Sequence, residues 1–220
     1  MKPTIILALD VDNETEARYF VNKLYPKIKI FKVGAQLFTQ AGPKIVEFIR
    51  KKGAQVFLDL KYFDIPNTVA NAVKAAVRLK VSMLTLHILG DEEMLKLAVK
   101  AAKEESRRLK LKRPLLIGVT VLTSKEANSS DVLTLARLGI DCGLDGVVCS
   151  VKEAALLKKE IKKKFLLVTP GIRPAGIPSN DQKRTATVDE AIQAGSDFLV
   201  IGRPILKAKD PLGALKEIMG

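Results

Sequence analysis

One pattern of polarity repeats along the chain. A short apolar run rich in Val, Ile and Leu is followed by an amphipathic stretch with Lys and Glu on one face. The apolar runs predict strands over Thr4–Leu9, Ile28–Val33, Gln55–Leu60, Ser82–His87, Leu115–Thr120, Gly146–Cys149, Phe165–Thr169 and Phe198–Ile201. The amphipathic stretches predict helices over Asn13–Tyr25, Pro43–Lys52, Pro66–Leu79, Glu92–Arg107, Asp131–Cys142, Lys152–Lys162, Val188–Ala194 and Pro211–Ile218. Near-continuous apolar strands alternating with helices argue a parallel sheet covered on its faces. Eight such units in 220 residues argue an α/β fold of the closed (β/α)₈ TIM-barrel type. A doubly wound open sheet is the alternative. No Pro/Ser-rich linker or shift in composition divides the chain, so residues 1–220 are expected to form one catalytic barrel domain. The least regular stretch is Pro170–Ala186, and unpatterned connections of that length are usually functional.

Composition narrows the class. With 47% hydrophobic and 28% charged residues, the chain can build a core and is neither disordered nor collagen-like. No apolar run approaches the ~20 residues that cross a bilayer, so no membrane association is expected. Asp10 and Asp12 end the first apolar run before it could serve as a signal peptide, which predicts the cytoplasm. Cys142 and Cys149, each in apolar surroundings, read as buried reduced thiols with no metal-ligand spacing. Lys+Arg 37 against Asp+Glu 24 gives a net charge of +13, which suggests an anionic ligand. A nucleic acid is the weaker reading, because 5% aromatics with no Trp offer no stacking platform. Lys-rich runs such as Arg107–Arg113 and Lys158–Lys164 read as solvated helix ends.

In such a barrel the chemistry sits at the C-terminal ends of the strands. The first strand ends in Asp10, the second contains Lys32, and the third ends in Asp59-Leu60-Lys61 with Asp64 three residues on. The fourth ends in His87, the fifth leads to Thr120 and Thr123, the seventh to Gly171 and Arg173, and the eighth to Gly202 and Arg203. These groups are expected to converge. The sharpest signal is FLDLKYFDIPNT, Phe57–Thr68. Residues two apart in a strand share a side, so Asp59 and Lys61 should face together into the barrel mouth. Such a pair needs further partners to offset desolvation, and Lys32 and a second carboxylate would supply them. Lys61 flanked by carboxylates stays an ammonium, which suits a proton donor and not a Schiff-base amine. The second signal is VIGRPI, where a Gly-Arg pair follows an apolar strand at the common phosphate position of barrels. Arg173 and Gln182 precede it, and an arginine fork recognises phosphate. His87 reads as a structural residue, with no second His or Cys to make a metal site.

These residues stand in segments that resemble the orotidine 5′-phosphate decarboxylase family. The resemblance runs the whole chain: LALD, FKVGAQLF, LDLKYFDIPNTV, LTLHILG, IGVTVLTS, LDGVVCSV, VTPGIRP, DQKRTAT and VIGRPI, in order. It implies decarboxylation of orotidine 5′-monophosphate (OMP) to UMP in a homodimer, with no cofactor and no metal. Lys61 would protonate C6 of the pyrimidine, Asp59 would sit beside the substrate carboxylate, and Lys32 would bridge the carboxylates and the ribose. Asp64 would reach into the partner's site and complete an Asp-Lys-Asp-Lys array, with Ile65 also at the substrate. Asp10 would bind a ribose hydroxyl, as would Thr68 from the partner subunit, and Thr123 would contact the pyrimidine. Arg173, Gln182, Gly202 and Arg203 would hold the phosphate, with Pro170–Ala186 closing over it. The nearest rivals share the DxKxxD motif: Mg²⁺-dependent 3-keto-gulonate 6-phosphate decarboxylases and hexulose phosphate synthases. They carry an acidic residue where this chain has Lys32.

Overall fold

The computed structural model describes residues 3–122, 128–173 and 185–219. Its first half runs β1 (Thr4–Ala8), α1 (Glu14–Leu24), β2 (Ile30–Gly34), α2 (Ala35–Ala41), α3 (Pro43–Lys51), β3 (Gln55–Tyr62), α4 (Pro66–Arg78) and β4 (Met83–His87). A 3₁₀ turn over Ile88–Gly90 leads into α5 (Asp91–Leu109). Then follow β5 (Leu115–Val119), α6 (Ser129–Asp141), β6 (Gly146–Val148), α7 (Val151–Glu160), β7 (Leu166–Thr169), α8 (Val188–Gln193), β8 (Phe198–Ile201), α9 (Arg203–Leu206) and α10 (Pro211–Met219). The strands are parallel and close in chain order, with β8 returning to pair with β1 through Leu7↔Ile201. The sheet is therefore a closed (β/α)₈ barrel and not the open doubly wound alternative.

Local chemistry sets the element ends. The Asn13 side chain accepts from the Glu16 N–H at 2.8 Å, which caps α1, and Glu14 and Glu16 complement the helix dipole. Pro66 opens α4, where its missing N–H costs nothing. Thr187 and Glu190 form a capping box on α8. The structure adds α2, the 3₁₀ turn and α9 to the expected helices. Gly42, at φ +58°, and Pro43 separate the added α2 from α3, which matches the helix expected from Pro43. Pieces this short carry too few turns to show a period.

The strands alternate between two cores. Ile6, Ile30, Phe57, Met83, Ile117 and Val168 fill the barrel interior. Their chain neighbours, including Leu7, Phe31, Leu58 and Leu84, pack outward against the helices. Two residues after these interior side chains stand Ala8 in β1, Lys32 in β2, Asp59 in β3 and Thr85 in β4. Apolar layers thus seal the barrel below, and the same strand face turns polar toward the C-terminal mouth.

Candidate active site

Asp59 is the hub of the polar layer. Its Oδ2 accepts from Lys61 Nζ at 2.8 Å and lies 3.4 Å from Lys32 Nζ. Its Oδ1 accepts from the Thr85 hydroxyl at 3.0 Å. Lys32 Nζ also donates to Asp10 Oδ1 at 3.0 Å. The Lys32 and Asp59 side chains are only 11% and 12% exposed, whereas that of Lys61 is 37% exposed and reaches the opening. Within one chain, charges alternate from Asp10 through Lys32 and Asp59 to Lys61; the expected array completed by a partner's Asp64 involves a second copy of the chain.

Burial alone would raise the Asp59 pKa. The Lys32 and Lys61 ammonium groups and the hydrogen bonds from Lys61 and Thr85 outweigh it and hold the carboxyl below its ordinary value. Burial likewise opposes the charge on Lys32, and Asp59 and Asp10 outweigh it, so its pKa is raised. Lys32 and Asp59 both stay charged at neutral pH.

Lys61 reaches Asp59 by an irregular backbone. Pairing between β3 and β4 steps from Leu58↔Leu84 to Tyr62↔Leu86, so four residues advance on β3 against two on β4. Within that bulge Lys61 adopts φ +50°, a left-handed conformation that non-glycine residues rarely take.

One cavity of about 220 Å³ takes in Asp10, Lys32, Asp59 and Lys61 together with Gly171, Arg173, Gly202 and Arg203. Val119, Val121, Val148, Val168 and Val200 supply apolar wall. That volume lies below the roughly 300–1,000 Å³ usual for small-molecule sites. Arg173 is 5% exposed, a guanidinium brought almost wholly out of solvent. The chain on either side of residues 174–184 is tied together by Arg173 N–H to Ala186 C=O at 2.9 Å and Ala186 N–H to Gly171 C=O at 3.2 Å. A Cβ on Gly34 would stand 3.3 Å from Lys32 Nζ, tight against the charged row, whereas one on Gly202 would make only ordinary contact with Asp10 Oδ2 at 3.6 Å.

Other expected site residues lie elsewhere. Asp64, Ile65 and Thr68 are exposed and do not line this cavity; Asp64 Oδ1 accepts from the Ile65 N–H at 2.7 Å. Thr120 does not converge on the mouth, because it is buried and its hydroxyl donates to the Val148 carbonyl at 2.9 Å. Thr123 and Gln182 lie outside the described residues. His87 stacks at a tilt against Phe63, with ring centroids 5.7 Å apart. Cys142 and Cys149 are buried free thiols, as expected. Two residues were missed: Thr85, whose place in LTLH reads as an ordinary strand position, and Gly34, which directly follows Val33 in the FKVG motif around Lys32.

A family model described as "Orotidine 5′-phosphate decarboxylase / HUMPS family" matches residues 3–218. The chain belongs to this family. It is 49% identical over 97% of its length to an orotidine 5′-phosphate decarboxylase of Vibrio campbellii, covering 95% of that protein. It is 49% identical to one from Vibrio cholerae over 98% of its length and 96% of the other's. A crystal structure of orotidine 5′-phosphate decarboxylase from Lactobacillus acidophilus superposes with a TM-score of 0.86 at 37% identity, covering 100% of this chain and 98% of that one. Family membership thus joins a barrel to a cavity lined by Lys32, Lys61, Arg173 and Arg203. Among the described residues, no helix is long and apolar enough to cross a membrane.

Proposed function

We propose that the chain decarboxylates OMP to UMP, the last step of pyrimidine nucleotide synthesis, as one barrel domain acting in a homodimer. The observation that carries this reading is the Lys61 ammonium, 2.8 Å from a buried Asp59 carboxylate and in the same cavity as Arg173 and Arg203. The phosphate of OMP would be held by Arg173, Gly202, Arg203 and Gln182, leaving the pyrimidine against the apolar wall and Thr123. Lys32 and Asp10 face the ribose. The bond from C6 to the carboxylate breaks, carbon dioxide departs, and its electron pair remains on C6. A proton from Lys61 Nζ forms the new C6–H bond, and the neutral amine regains a proton from solvent.

The geometry suits that sequence of events. The developing charge at C6 has no electron sink in the ring, and a fixed ammonium stabilises it without reorganisation. Asp59 holds the Lys61 ammonium at 2.8 Å, and its own charge beside the substrate carboxylate disfavours the ground state. Phosphate binding far from C6 supplies binding energy that is used in the chemical step. These steps need only side chains of this chain. A Mg²⁺-dependent sugar-phosphate reaction fits less well, because the Lys32 ammonium stands 3.4 Å from Asp59 where a cation would bind.

Asp64, Ile65 and Thr68 are exposed and do not line their own chain's cavity, which suits residues that serve a partner's site. Phe63 and Leu89, each 60% exposed, and Ile65, 67% exposed, supply apolar surface for that contact. The buried free thiols suit the reducing cytoplasm. The test is loss of the orotate ultraviolet absorbance in EDTA. Conversion of OMP to UMP and carbon dioxide is expected; inert OMP with turnover of 3-keto-gulonate 6-phosphate or formation of a hexulose phosphate in Mg²⁺ would replace this reading with the rival one.

A further inference from the structure

We propose that Thr85 is a positioning residue, whose single hydroxyl fixes the β3 bulge and aims both Asp59 and Lys61. Thr85 is fully buried on the inner face of β4, one layer above Met83. Its Oγ1 accepts from the backbone N–H of Lys61 at 2.8 Å and donates to Asp59 Oδ1 at 3.0 Å. The direction of both bonds is forced, because a backbone N–H can only donate and a carboxylate can only accept.

The contacts close a ring. Thr85 holds Asp59 Oδ1, Asp59 Oδ2 holds Lys61 Nζ, and the Lys61 backbone returns to Thr85. Lys61 is thereby held at both ends, by its amide and by its ammonium. This bears on its backbone, because φ +50° is disfavoured for lysine and persists only where surroundings over-determine it. The bulge takes two more residues of β3 than of β4, and the side chain from β4 satisfies an amide inside that irregular stretch. Asp59 is likewise triangulated, by Thr85 on one oxygen and by Lys61 and Lys32 on the other. Without the hydroxyl the carboxylate is free to turn, and the ammonium it holds moves with it. The branched Cβ of Thr85 limits its own χ1 choices, so the hydroxyl starts pre-aimed.

This inference deepens the proposed decarboxylation and rests on it for its kinetic arm. Thr85→Val keeps shape and volume and deletes only the hydroxyl; Thr85→Ser keeps the hydroxyl and deletes the methyl. Misaligning the acid affects the chemical step more than substrate capture. In T85V, kcat on OMP is expected to fall about 10²-fold with KM within about 3-fold of the parent, whereas T85S retains kcat within about 10-fold. T85V with kcat within about 2-fold of the parent would overturn the proposal, as would T85S falling as far as T85V. If T85V does not fold, Thr85→Ala replaces it, and equal kcat in T85A and T85S would overturn the proposal equally. A parent inert toward OMP would remove the functional reading alone. The crystal structure of T85V then decides the positioning role: Lys61 leaving φ +50°, or Asp59 turning from Lys61, supports it, and an unchanged Asp59–Lys61 contact overturns it.

Discussion

At the scale of single residues, charge is arranged so that no member of the cluster stands alone. Lys32 is almost fully buried between two carboxylates, and Asp59 between two ammonium groups. Deleting one partner leaves the other buried and uncompensated, which is costly. Asp59 and Lys61 could be read from the chain, because two charged residues of opposite sign close an apolar strand two positions apart. Thr85 could not, because its partners lie 24 and 26 positions away and the bulge that brings them together leaves no trace in strand periodicity. Arg203 and Arg173 were legible for a simpler reason: Arg203 follows the last apolar residue of β8 by one glycine, and Arg173 stands in the Pro-Gly-Ile-Arg segment just past β7. Arg203→Ala is expected to lower kcat/KM on OMP on the order of 10²-fold, the loss of a charge-assisted contact to phosphate. Steady-state kinetics that leave kcat/KM nearly intact would remove Arg203 from the phosphate site.

At the scale of elements, the eight strands were legible to within a residue or two, because interior and exterior faces are both apolar and the runs stand out from Lys-rich helices. The α2 and α9 segments were not, being seven and four residues long with little period to show. Helix packing rests partly on ions that no periodicity reveals. Glu105 of α5 accepts from Arg78 Nε of α4 at 2.7 Å and from Arg108 Nε at 2.9 Å. Hydrogen bonds from Arg108 and then Arg78 pull the Glu105 carboxyl down to about 2. A depressed carboxyl adds stability above its unfolded pKa and loses it as pH falls through the folded one. The contribution is therefore full above about pH 4.5 and lost by about pH 2. Glu105→Gln should flatten the fall of Tm across that window. Parallel Tm profiles for parent and variant would show that the α4–α5 ion cluster adds nothing to acid stability.

At the scale of the molecule, the barrel gathers residues from β1, β2, β3 and the β7 and β8 exits into one cavity, an outcome implied once eight βα units were counted. Asp64, Ile65 and Thr68 are exposed and do not line the cavity, and the proposed homodimer gives them a place in a partner's site that a single chain's periodicity could not record. The dimer account predicts that Asp64→Asn and Lys61→Ala variants, each nearly inactive alone, complement each other when co-expressed. A mixed dimer has one site with both changes and one with neither, so an equal mixture recovers about a quarter of parental activity. Asp64 acting within its own chain would give no recovery.

The central claim is that the Lys61 ammonium delivers the proton that completes a metal-free decarboxylation. The most direct measurement follows OMP absorbance with parent and Lys61→Ala protein in EDTA, each shown by circular dichroism to be folded. The account predicts turnover by the parent and a loss of at least about 10³-fold in kcat for the variant. A folded parent that leaves OMP untouched, or a variant that matches it, would contradict the account.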